Sequence, residues 1–168
     1  YRWLGARRSD GQVVVTGDAE LIKADATAAA FKAAGAKRFI VLPVSGAFHS
    51  PLMQDSAADF LTFLKTFTFA VPKVSVISNV TGHAYGDPNT IGETLSRQLT
   101  SSVRWTDSLM LMRQQGVETF LEIGSGTVLA GLAKQTLDGV KSASVQGPTD
   151  LDGAKALFAQ VTQNAQGV

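Results

Sequence analysis

The chain holds two histidines in very different settings. His49 lies in VLPVSGAFHSPLMQ (41–54), between a run of small residues and a Ser-Pro pair. Histidine changes charge near neutral pH, which makes it the commonest carrier of protons in general acid–base catalysis. A lone histidine packed at a surface without a task is the plain alternative, and three features weigh against it. The ring follows an apolar run that reads as a strand, and ligands of open α/β sheets gather where strands end. Ser45, Gly46 and Ala47 leave room beside it for a substrate. The helix start after it brings backbone N–H groups and a positive dipole end close by. His83, in TGHAYG (81–86), sits between two glycines and reads as a solvated turn residue. The two rings are 34 positions apart with no ligand pattern around them, so no metal site is expected.

Other motifs carry less chemistry. GSG (124–126) follows a strand-like run and precedes a helical one, as phosphate loops do. The lysine of a P-loop and the glycine spacing of a dinucleotide fingerprint are both missing, so a tight strand-to-helix turn is the better reading. Ser125 is not centred in G-x-S-x-G and is a poor candidate nucleophile. Asn79 could bond a loop or a substrate, or simply hold a turn. Arg97 and Gln98 lie on a helical stretch, where an exposed face is their ordinary use. Cysteine is absent, which excludes disulfides, thiolate metal sites and a cysteine nucleophile.

The elements that must position these residues alternate in type. QVVVTG (12–17) is β-branched and ends in glycine, and Asp18 can cap an alanine-rich helix over about 19–34, closed by Gly35. RFIVLPV (38–44) reads as a strand. Ser50 and Pro51 form a strong helix start, and Met53, Ala57, Phe60, Leu61, Leu64 and Phe67 follow at helical spacing. KVSVISNVTG (73–82) reads as a strand entering a turn, TIGETLSRQLTS (90–101) as a helix, and Thr106 to Gln115 as another, ended by Gly116. VETFLEIGSG (117–126), TVLAGLAKQTL (127–137), KSASVQ (141–146) and 150–163 continue as strand, helix, strand and helix. The alternation predicts an α/β fold with a largely parallel sheet. YRWLGARRSD (1–10) is basic, lacks clear periodicity and stays unassigned.

With 168 residues, 45% hydrophobic and 17% charged, the chain is composed for a packed core rather than for disorder. A net charge of +1 offers no electrostatic case for nucleic acid or an anionic membrane. No apolar run approaches the ~20 residues of a membrane span, and no secretory signal is visible. The lack of cysteine is compatible with a cytoplasmic protein.

LPVSGAFHSPLM, ISNVTG, RQLTSSVRW and FLEIGSGTVLAGL, in this order and spacing, together resemble malonyl-CoA:acyl carrier protein transacylases. The resemblance runs from about Gly11 to the C-terminus. It implies the C-terminal part of an α/β-hydrolase-like large subdomain, residues 45–168, and part of a ferredoxin-like small one, residues 11–44. It also implies malonyl transfer from malonyl-CoA to the phosphopantetheine thiol of acyl carrier protein, by a Ser-His dyad and without a cofactor. His49 matches the family's catalytic histidine. Gln98 matches the position whose backbone carbonyl holds the other ring nitrogen, and Asn79 a supporting residue beside the ring. Phe48 matches the A-F-H pattern of malonyl-selective members, where a bulky ring crowds an α-methyl branch.

The resemblance has departures. The nucleophile motif G-H-S-x-G is absent, as is the arginine that pairs with the malonyl carboxylate, which none of Arg38, Arg97, Arg104 or Arg113 matches. The resemblance places both before residue 1, so the expectation is a fragment, inactive alone and monomeric when complete. Ser102 and Ser125 stand where members often have proline. Two other readings stay open: an acyltransferase segment of a polyketide or multifunctional fatty acid synthase, and a non-catalytic α/β fragment with His49 incidental.

Overall fold

In the computed structural model, residues 2–9 and 11–165 are described. The chain packs as two compact units, Tyr1–Trp105 and Thr106–Val168. The division follows packing and differs from the subdomain boundary at 44/45 that the resemblance implies.

The first unit opens with a hairpin. Strand β1 (Arg2–Ser9) pairs antiparallel with β2 (Gln12–Gly17), Leu4 facing Val15 and Ala6 facing Val14. The register slips between Leu4 and Ala6 and again between Arg7 and Ser9. Such bulges break the two-residue alternation by which strands are recognised, and this is why the arginine-rich lead showed no periodicity. Tyr1 and Asp10 of that lead lie outside the described residues. The other edge of β1 meets residues 102–103: Val103 N–H donates to the Gly5 carbonyl at 2.9 Å, and the Ser102 hydroxyl donates to the Leu4 carbonyl. A Cβ on Gly5 would lie 3.3 Å from the Thr16 methyl carbon, so a small residue suits the centre of this strand.

The alanine-rich stretch forms two helices, α1 (Ala19–Lys23) and α2 (Asp25–Ala33). Asp18 caps the first, its carboxylate accepting from the Glu20 and Leu21 N–H groups. Ala24 is extended (ψ 135°) and its N–H closes α1 on the Glu20 carbonyl. Buried Thr27 reaches back to the Leu21 carbonyl at 2.5 Å and fixes the corner. Gly35, at φ 96°, closes α2 in the left-handed conformation that glycine adopts without steric cost.

The two strands expected next are not built. Residues 38–44 run without strand pairing, Val44 N–H donates to the Leu42 carbonyl across Pro43, and Ile40, Val41, Leu42 and Val44 are exposed. Residues 73–82 make one bridge, Ile77 with Ala84, around a turn in which Ser78 N–H reaches the His83 carbonyl. β-branched composition suits a strand, but a strand exists only with a partner to take its hydrogen bonds. No such partner stands beside 38–44 among the described residues.

Ser50 starts the next helical stretch as read: its hydroxyl accepts from Leu52 N–H at 3.3 Å, and a 3₁₀ turn (Pro51–Met53) leads into α3 (Gln54–Leu64). Helix α4 (Ile91–Arg97) packs on α3. Ala57, Leu64 and Ile91 are buried, and a Cβ on Gly92 would lie 3.3 Å from the Phe69 ring and 3.7 Å from Leu64, so the helices approach closely.

The second unit contains most of α5 (Trp105–Gln114), then β3 (Thr119–Ile123), α6 (Val128–Thr136), β4 (Lys141–Val145) and α7 (Leu151–Ala165). β3 and β4 pair in parallel, Leu121 facing Ala143, through the α6 crossover. Buried Ala130, Leu132, Ala133, Leu137 and Ala154 line its interior. No helix among the described residues is long and apolar enough to cross a membrane.

Candidate active site

His49 occupies an unusual backbone conformation. It is the one non-glycine among the described residues with positive φ, at 64°. Histidine is among the residue types that visit this left-handed region, at a cost on the order of 1–3 kcal/mol that the surroundings must meet. Three bonds do so. The Ser50 side chain, fully buried, donates from Oγ to the Ala47 carbonyl at 2.6 Å and closes the turn on one side. His49 N–H donates to the Leu99 carbonyl at 2.9 Å. The ring Nδ1 lies 2.9 Å from the Gln98 carbonyl oxygen.

The two accepting carbonyls sit just past α4. The last carbonyls of a helix have no intrahelical donor and must find one elsewhere. Those of Gln98 and Leu99 find it in His49, one through the ring and one through the backbone. A carbonyl oxygen can only accept, so the proton of the neutral ring belongs on Nδ1. Nε2 is then left with its lone pair, the state a general base needs. The ring is half-buried.

Phe48 precedes the histidine and is 41% exposed. A Cβ on Gly46 would lie 3.3 Å from its ring, so the ring rests close over the glycine backbone. The structure thus groups Phe48, His49 and Gln98 and does not join Asn79 to them. The Asn79 carbonyl takes the Arg104 N–H at 2.8 Å, and no hydrogen bond links Asn79 to His49 among the described residues. Residue typing had not singled out Leu99, whose contribution is a backbone atom. His83 is exposed in its turn, with Nδ1 2.8 Å from the Thr81 carbonyl.

In the second unit the GSG turn is occupied by the protein's own groups. The Gly126 N–H donates to Gln146 Oε1 at 2.8 Å, and the Glu122 carboxylate accepts from the Leu129 and Ala130 N–H groups at 3.2 and 2.8 Å. An internal carboxylate thus satisfies the N-terminus of α6, which a phosphate would otherwise favour. Ser125 is exposed in that turn. No group of three or more His, Asp or Glu that could hold a metal occurs among the described residues.

Known proteins resemble the chain in sequence and in fold. No family model matches the chain. The malonyl CoA-acyl carrier protein transacylase of Salmonella typhimurium is 40% identical over 146 residues, 87% of this chain and 47% of that protein. The polyketide biosynthesis protein ThaF of Burkholderia thailandensis is 42% identical over 127 residues, 75% of this chain and 11% of that protein. The crystal structure of an acyl carrier protein S-malonyltransferase from Vibrio cholerae superposes with a TM-score of 0.84 at 37% identity, covering 91% of this chain and 49% of that one. The chain therefore spans about half of the transacylases it matches and a far smaller share of ThaF. In sequence and in its α/β fold, over the stretch they share, the chain belongs to the malonyl CoA-acyl carrier protein transacylase family.

Proposed function

We propose that the chain supplies the proton-carrying half of a Ser-His dyad in a malonyl-CoA:acyl carrier protein transacylase of fatty acid synthesis, working in the cytoplasm. The observation that carries this reading is the His49 ring held through Nδ1 on the Gln98 carbonyl, with Nε2 left to act. The serine comes from a segment outside these 168 residues, since G-H-S-x-G does not occur in them. The exposed apolar segments 40–44 and 74–76 support this, because further strands would cover them. On this reading residues 11–44 are part of a ferredoxin-like subdomain and residues 45–168 the C-terminal part of the large one. The complete protein is a monomer.

The chemistry follows from one ring used four times. Nε2 takes the serine proton as the oxygen attacks the thioester carbonyl of malonyl-CoA. The imidazolium then returns that proton to the sulfur as the C–S bond breaks, leaving a malonyl-serine ester and free CoA. Nε2 next takes the proton of the phosphopantetheine thiol, whose sulfur attacks the ester carbonyl. The proton finally goes to the departing serine oxygen, giving malonyl carrier protein and the resting enzyme. The Gln98 carbonyl holds the tautomer through all four steps, as a carboxylate does in a triad, without adding a negative charge. Asn79 keeps the supporting role that the resemblance implies, without a hydrogen bond to the ring among the described residues, and Phe48 is assigned the rejection of α-branched acyl groups.

A second reading has an observation of its own: the match to ThaF, of which this chain covers only 11%, suits an acyltransferase segment of a larger polyketide synthase. The test is malonyl transfer to carrier protein, followed as malonyl-carrier mass. A protein that carries G-H-S-x-G together with these residues is expected to transfer, and the 168-residue chain alone is not. Transfer by the chain alone would overturn the assignment of the nucleophile to another segment.

A further inference from the structure

We propose that Ser96 is a positioning residue for His49, acting through α4. Its side chain is buried, and its hydroxyl donates to the Ala57 carbonyl on the first turn of α3 at 2.7 Å. This is a side-chain tie between two elements that both lead to the ring. From Ala57 the chain runs back through the Pro51–Met53 turn to Ser50 and His49. From Ser96 it runs forward two and three residues to the carbonyls of Gln98 and Leu99, which close on His49.

The four segments form a closed loop: chain from 49 to 57, hydrogen bond from 57 to 96, chain from 96 to 99, and hydrogen bonds back to 49. Apolar contacts between α3 and α4, such as Leu64 against Gly92, resist separation but allow one helix to slide along the other. A hydrogen bond at 2.7 Å is directional and fixes that slide. A displacement of α4 by less than one residue would take the Gln98 oxygen out of line with Nδ1. Ser96 thereby sets which ring nitrogen carries the proton, although it does not touch the imidazole.

The inference rests on the transacylase reading for its importance, but its test needs no transfer and so fails separately. The complete protein, ¹⁵N-labelled at histidine and with the His49 signals assigned by their loss in His49→Asn, is compared with Ser96→Ala, Ser96→Thr and Ser96→Cys by ring-nitrogen chemical shifts, with the imidazoles neutral. In the parent chain Nδ1–H is expected as the major form of His49. In Ser96→Ala the neutral ring is expected to redistribute so that Nε2–H becomes the major form. Ser96→Thr, which keeps the hydroxyl, is expected to retain the parent tautomer. His83, held locally by Thr81, serves as the reference and is expected to be unchanged throughout. An unchanged His49 tautomer in a folded Ser96→Ala would overturn the inference. Should that variant not fold, Ser96→Cys, close in volume but a weak donor, takes its place: redistribution supports the role, and a parent-like tautomer overturns it.

Discussion

Replacing His49 by asparagine is expected to slow malonyl transfer by about 10²–10⁴-fold in the protein that carries both halves of the dyad. Asparagine is the informative choice because the backbone there is left-handed (φ 64°), a region asparagine tolerates better than alanine does. The turn and the backbone bond to Leu99 are thus kept while the imidazole is lost. The loss should fall on kcat, with KM for malonyl-CoA changing little, because a general base acts on protons in transit rather than on the bound substrate. A dyad also works as a unit, so removing the serine from the His49→Asn variant should cost little more. Steady-state kinetics of the single and double variants measure both. A His49→Asn variant with parent-like kcat would remove His49 from the chemistry.

Phe48→Ala is expected to raise the use of methylmalonyl-CoA relative to malonyl-CoA by about 10- to 100-fold, the scale on which a pocket discriminates one methyl group. The Phe48 ring adjoins His49 in sequence, is 41% exposed and rests over Gly46, so it can present bulk to an incoming acyl group. Truncation opens that space, and none of the three bonds that hold His49 involves the Phe48 side chain. Malonyl transfer itself should therefore fall little. The measurement is the ratio of kcat/KM for the two thioesters in direct competition. An unchanged ratio would remove Phe48 from selectivity.

Legibility from residue types alone differs from place to place along the chain. The Ser50-Pro51 helix start, the Gly35 and Gly116 terminators and the β3–α6–β4 crossover were readable because each depends on local chemistry: a cap, a positive-φ residue, a short apolar run ended by glycine. The strand expected at 38–44 was misread because β-branched composition reports fitness for a sheet, and partners decide whether the sheet forms. The strand at 2–9 was missed for the opposite reason: it has a partner, but two bulges scramble its alternation. The break at Ala24 depends on a Thr27 hydroxyl reaching back six residues, which no periodicity encodes.

The site divides in the same way. His49 stood out by its type and neighbours. Its holder at Gln98 came only through the family resemblance, because the atom concerned is a backbone carbonyl 49 positions away and carries no side-chain signature. Leu99 and Ser96 contribute a carbonyl and a buried hydroxyl whose roles exist only once α4 is set against α3. Residue typing finds the imidazole, and the packing of two helices finds the groups bonded to it or set beside them.

The central claim is that the imidazole of His49 activates a serine supplied from outside this chain. Labelling of the complete gene product by a serine-directed fluorophosphonate, followed by peptide mass mapping, addresses it without carrier protein or malonyl-CoA. Rapid labelling of one serine outside residues 1–168, slowed by about 10²-fold or more in His49→Asn, is the predicted result. Labelling at the same rate with and without the imidazole would contradict it.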